Sequence, residues 1–200
     1  MRRKAYSAGM MSYAFWFIEY RKIVHLLAQG QTIDEIRELN KRQNLFSAVS
    51  QNRSQRMCNI LLSRIQSLDN SFISLFESID LSSKKQIALI STMADDSLFF
   101  DFVYEVIRKK MIIGNCELTQ SDIRIFFKNK QEQDETVARW ADSTCTKLGQ
   151  VYKSVLCEAG MLNQGKGTRK IYRQIIDPEL ENWLTSHYME IMAKALTGVR

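Results

Sequence analysis

The sequence predicts a mostly helical protein in two parts, an N-terminal helical bundle over residues 1–114 and a C-terminal winged helix-turn-helix with a small two-stranded β-wing over residues 115–200. Three observations predict it. The chain of 200 residues holds a single proline, Pro178, so proline breaks no helix upstream of it. Apolar residues recur at three- and four-residue spacing through most of the length. Past residue 160 the period shortens toward two, with glycines at 165 and 167 marking a turn. With 45% apolar and 25% charged residues the composition is that of a folded globular chain, long enough to bury a core.

The elements follow in order. A first helix spans 13–27 and stops at Gly30. Thr32 and Glu35 form a T-x-x-E capping box that starts a second helix, running to about Asn44. A third occupies 51–68, with Met57, Leu61, Ile65 and Leu68 on one stripe. These three resemble a helix-turn-helix unit, an arrangement with many other uses. Residues 70–113 supply two or three more helices. The last carries Phe99, Phe102, Val103, Val106 and Ile107 and ends in Arg108, Lys109 and Lys110, where cations suit the helix dipole. Gly114 and Asn115 mark the strongest break, and the domain boundary is placed there.

In the C-terminal part, Thr119, Ser121 and Asp122 can cap a helix over 121–130, and a second spans 132–141. Asp142 and Ser143 can cap a third, whose apolar residues Leu148, Val151, Tyr152, Val155, Leu156 and Ala159 fill one arc of about 140°. Gly160 is its C-cap candidate. Met161 and Leu162, the Gly165-Lys166-Gly167 turn and an alternating stretch over 168–176 then read as a two-stranded ribbon. Asp177 and Pro178 open a closing helix that buries Leu180, Trp183, Leu184, Tyr188, Ile191 and Met192.

Charge placement directs the functional reading. The net charge is +6, which makes a polyanionic partner plausible without saying where it binds. In a winged helix the third helix enters the major groove of DNA. Opposite Leu148 that helix carries Thr146, Lys147, Gln150, Lys153 and Ser154, residue types suited to phosphates, guanine edges and adenine. The wing carries Lys166, Arg169, Lys170 and Arg173, with no acid over 163–176. Such a ribbon would track a phosphate backbone and make binding steeply salt-dependent. A second acid-free stretch, 39–68, holds Lys41, Arg42, Arg53, Arg56 and Arg64. Arg53, Arg56 and Arg64 fall within about 80° on a helical wheel, as a second phosphate-binding ridge or a docking site for an acidic protein.

Other chemistries find no motif. Walker and Rossmann loops, a G-x-S-x-G elbow and H-E-x-x-H are all missing, so the chain is read as no enzyme and as needing no cofactor. Asp95, Asp96 and Asp101 could hold a metal in principle, and a helix cap followed by a solvated face explains them as well. His25 reads as a surface or half-buried histidine. The four cysteines lack any CxxC pair, which argues against zinc and for a reducing, cytoplasmic setting. The apolar run 10–18 is nine residues long and meets Glu19, Arg21 and Lys22, whereas a spanning helix needs roughly 20. It reads as a buried first helix.

Short motifs in a fixed order also carry a family resemblance. They are Tyr6-Ser7-Ala8-Gly9, Glu19-Tyr20-Arg21, Asn44-Leu45 before Ser50-Gln51-Asn52-Arg53, then Phe100-Asp101-Phe102-Val103-Tyr104-Glu105-Val106. Trp140-Ala141-Asp142-Ser143-Thr144 and Lys147-Leu148 follow, leading to Glu158-Ala159-Gly160-Met161-Leu162. Over nearly its whole length the chain resembles the BrxA family of the bacterial BREX phage-defence operons. The resemblance implies a cytoplasmic helical protein that binds double-stranded DNA beside other BREX proteins, a methyltransferase and ATPases among them. It also implies a helical part like that of the antitermination factor NusB. Glu19 and Asp101 are motif positions for which buried capping or ion pairing is the expected role. An adaptor for acidic partner proteins and an operon repressor are the competing functional readings.

Overall fold

The structure, a computed structural model, describes residues 3–199. It is mostly helical with one small antiparallel sheet, and it divides into two compact units. One spans Trp16–Asp95, and the other joins the N-terminal residues up to Phe15 to the chain from Asp96 onward. The division thus falls at residues 15/16 and 95/96, whereas the sequence places one boundary after Gly114. Gly114 lies in a loop inside the second unit. The helix before it packs against the C-terminal helix of the same unit, a long-range contact that punctuation in the sequence does not report.

The first unit is all helix: α1 (Phe17–Ala28), α2 (Ile33–Gln43), α3 (Gln51–Gln66), α4 (Phe72–Ser78) and α5 (Leu81–Asp95). The expected capping box starts α2: the Thr32 hydroxyl accepts from Glu35 N at 3.2 Å and the Glu35 carboxylate accepts from Thr32 N at 2.7 Å. The first helix begins four residues later than its apolar pattern. Gly9–Ser12 forms a separate 3₁₀ turn, and Trp16 takes a left-handed conformation at φ 49°. Helix α5 is buried from Gln86 to Ala94 without a break, so it forms the centre of this bundle. Around it α1 packs on α3 and α4, and Phe76 meets Tyr20 at 5.8 Å and Phe72 at 6.4 Å between ring centroids.

The second unit holds α6 (Ser97–Phe102), a widened π turn (Val103–Arg108) and α7 (Lys109–Ile112), which run on from one another with right-handed helical backbone. Then come β1 (Glu117–Leu118), α8 (Gln120–Gln133), α9 (Glu135–Ala138), α10 (Asp142–Glu158), β2 (Arg169–Lys170), α11 (Pro178–Ser186) and α12 (Glu190–Thr197). Tyr152 of α10 is the hub of the core. Its ring lies 5.0 Å from Phe99, 5.3 Å from Phe102 and 5.9 Å from Phe127, joining α6, α8 and α10 through aromatic packing.

Three local expectations change. The cap of α10 is Ala141 with no side-chain hydrogen bond, and Asp142 lies inside the first turn. The sheet is not simply the expected ribbon: β2 pairs with β1 in the register Glu117↔Lys170 and Leu118↔Arg169. The ribbon partner contributes the Leu162–Ile171 bridge, flanked by Tyr172 N to Met161 O at 2.8 Å and Asn163 N to Lys170 O at 3.1 Å. The 169–171 segment therefore lies between two others. The closing helix breaks in two at Tyr188, which adopts φ 56°. The break turns Tyr188 out to 86% exposure and leaves Ile191 exposed, although the helical pattern placed both inward.

Candidate nucleic-acid interface

The face of α10 is set by its buried stripe. Leu148, Val151, Tyr152, Val155 and Leu156 point into the core, which turns Thr146, Lys147, Gln150 and Ser154 to the exterior. Among the described residues no side-chain hydrogen bond or ion pair engages Lys147, Gln150 or Lys166. Lys153 is half-buried and donates to Gln120 Oε1 at 3.2 Å. After α10, Gly160 at φ 82° reverses the chain and Met161 N returns to Leu156 O at 2.9 Å, as a glycine C-cap requires.

The loop that follows lies against this face. Gln150, Lys153, Ser154 and Glu158 of α10 and Gly165 and Arg169 of the loop line one open groove of about 410 Å³. Lys166 and Lys170 are exposed, and the Lys170 ammonium sits 5.7 Å from the Tyr172 ring centroid. The other two ribbon cations bond backbone carbonyls. Arg169 is half-buried and donates to Asn163 O at 3.2 Å, bracing the turn. Arg173 donates to Met111 O at 3.2 Å, back toward the end of α7.

The second basic ridge loses a member. Arg53 and Arg56 are exposed, while Arg64 is only 1% exposed. Position 64 falls one turn beyond Leu61 and two beyond Met57, on the buried stripe of α3, so helical geometry carries it inward. There its guanidinium lies 5.9 Å from the Trp16 ring centroid. Arg64 is therefore withdrawn from any surface contact with DNA.

One polar cluster extends the expected ion pairing of Asp101 to partners that the sequence reading did not name. Asp101 and Lys130 are 3% and 4% exposed. The Lys130 ammonium donates to Asp101 Oδ2 at 3.0 Å, Glu105 Oε1 at 2.8 Å and the Tyr6 hydroxyl at 3.4 Å. Arg3 and Tyr6 also donate to the Asp101 carboxylate. Burial alone pulls the Lys130 pKa down, and the bonds and charges of Glu105 and Asp101 outweigh it, leaving the ammonium above the ordinary lysine value. Burial and the adjacent Asp101 carboxylate push the Tyr6 phenol up. The cluster holds the N-terminal segment on α6, the π turn and α8. Asp101 was visible as a motif position; Lys130 carried no signal, because a lysine near a helix end reads as solvated.

Asp95 and Asp96 have structural partners too. Asp95 accepts from Ser63 Oγ at 2.7 Å and Asp96 caps α6 through Phe99 N at 2.9 Å. Glu19 lies in the first turn of α1, where a negative charge suits the helix dipole. His25 is exposed, 3.5 Å from Glu77. Among the described residues no group of three or more His, Cys, Asp or Glu side chains could hold a metal, all four cysteines are free, and no helix is long and apolar enough to cross a membrane.

Fold and site together define a class: an α-rich protein with a small sheet, a cationic helix-and-loop face and a separate cluster of structural ion pairs. The BrxA family model matches residues 4–188. The BREX protein BrxA of Bacillus cereus is 37% identical over 177 residues, 88% of each chain, and that of Paramagnetospirillum magneticum is 21% identical over 169 residues, 84% of this chain and 85% of the relative. A crystal structure of an uncharacterized protein from Magnetospirillum magneticum has the same fold, with TM-score 0.82 at 19% identity, covering 98% of this chain and all of the other. The chain belongs to the BrxA family.

Proposed function

We propose that the chain is a non-catalytic, double-stranded-DNA-binding component of a BREX phage-defence system, acting in the cytoplasm beside other BREX proteins. The order in the second unit supports reading it as a winged helix, with helix 97–112 in place of the short α9 as one of the three helices expected from the sequence: helix 97–112, β1, α8, α10, then the short ribbon. In that reading α10 enters the major groove with Thr146, Lys147 and Gln150 toward base edges. Lys166 and Lys170 then follow the phosphates.

The observation that carries the proposal is the shared groove. It sets the polar face of α10, on which Lys147 and Gln150 are unengaged, beside a loop with no acid over 163–176, with Glu158 also in the groove's lining. Lys147, Lys166 and Lys170, exposed on this helix and loop, gain by releasing counterions from DNA, a sequence-independent attraction. Arg53 and Arg56 belong to the other unit and form a separate candidate contact.

The test is a titration of labelled random duplex of about 20 base pairs across a salt series. Wild type should bind steeply with salt, and Lys166→Ala with Lys170→Ala should flatten the log–log slope by about two while weakening all sequences alike. Full affinity and an unchanged slope in that variant would overturn the wing assignment. Strong preference for its own promoter would favour a repressor. Preference for structured RNA would favour an RNA role, and no binding at low salt an adaptor for acidic proteins.

A further inference from the structure

We propose that the cleft between α8 and the first turns of α10 is a binding site for a small amphipathic anion, an apolar body of aromatic size bearing a sulfonate, carboxylate or phosphate. The two helices pack tightly at Gly149, where an added Cβ would stand 2.5 Å from Ile123 Cγ2. One turn earlier on α10, at Cys145 and Thr146, an opening of about 370 Å³ lies between them, within the range of small-molecule sites. Its floor is apolar: Ile123, Phe127 and Cys145, all buried. Its rim carries Arg124 and Lys128, both exposed, with Asp142 opposite.

The floor is fixed in place. Phe127 is stacked on Tyr152 with rings 25° from parallel, and Gly149 pins the crossing beside it, so side chains do not close the gap. Burial and the charge of Asp142 push the Cys145 thiol pKa up, which keeps this floor neutral and apolar rather than thiolate. Among the described residues no acid pairs with Arg124 or Lys128. Two cations face one carboxylate, an excess that selects an anionic head group, while the floor takes the apolar body.

The probe is 8-anilinonaphthalene-1-sulfonate, an aromatic sulfonate that brightens on leaving water, titrated into the full chain without DNA. Failure here is therefore distinct from failure of the DNA reading. The expected result is a saturable one-to-one signal. It should weaken at least tenfold in the surface variant Arg124→Glu with Lys128→Glu, and at least tenfold for the neutral analogue N-phenyl-1-naphthylamine. Cys145→Trp, which fills the cleft, should abolish it with the far-ultraviolet spectrum retained. If that variant does not fold, the charge-reversed protein decides alone. No saturable signal, or equal affinity in the charge-reversed protein, overturns the proposal.

Discussion

Replacing Gly149 with alanine sets two effects of known sign against each other. Inside a helix, glycine to alanine stabilises by about 1 kcal/mol, because alanine loses less backbone entropy. Here the new Cβ would stand 2.5 Å from Ile123 Cγ2, about 1 Å inside ordinary carbon contact. Ile123 is buried and branched at Cβ, so its methyl cannot swing aside without leaving a preferred rotamer. Relief must come from displacing α8 against α10, and overpacking of that kind costs about 1–3 kcal/mol. The clash matches or exceeds the propensity gain, for a net loss of up to about 2 kcal/mol and a Tm lower by up to about 8 °C, read by far-ultraviolet circular dichroism. In an Ile123→Ala background, which removes the facing methyl, the same substitution should become stabilising. A rise in Tm for Gly149→Ala alone would refute the close crossing, and with it the reason the cleft opens beside Cys145.

Lys130→Met should destabilise the chain by about 2–4 kcal/mol in urea unfolding, because it strands the Asp101 carboxylate in the interior with only Arg3 and Tyr6. Since the folded pKa of Lys130 is raised, its contribution is complete below the unfolded value of about 10.4 and fades as pH rises through the higher folded value. Lys130→Met should lack that alkaline component. Asp122→Ala should cost about 1 kcal/mol through loss of the α8 capping box. Burial acts to raise the Asp122 pKa, but bonds from the Thr119 amide and hydroxyl and from Lys110 outweigh it and lower it. Its stabilisation is thus present above about pH 3.9 and lost as pH falls through the folded value, a dependence missing from the alanine variant's acid unfolding curve. Arg64→Ala should cost about 2–4 kcal/mol by opening a cavity in α3's packing, whereas Arg53→Ala and Arg56→Ala should stay within about 0.5 kcal/mol. Equal effects of all three would contradict the burial of Arg64.

The amino-acid sequence by itself determined the local structure. Helix starts at Thr32, Thr119 and Asp177 are written in side chains that bond their own backbone within three residues. The buried stripe of α10 follows from 3.6-residue periodicity, and the exposed Thr146, Lys147 and Gln150 follow from it in turn. The same periodicity, applied to charge alone, placed Arg64 on a surface ridge although its neighbours Leu61 and Ile65 already marked that stripe as core. Only the tertiary structure decided the rest. The N-terminal segment joins the C-terminal unit because Arg3 and Tyr6 meet Asp101 and Lys130 from far along the chain. Arg169 and Arg173 bond carbonyls instead of standing free, the 169–171 segment finds β1 as a second neighbour, and α8 and α10 enclose a cleft on the N-terminal side of Gly149. Each depends on which distant surfaces are brought together, and residue spacing specifies a face of an element without specifying what that face will meet.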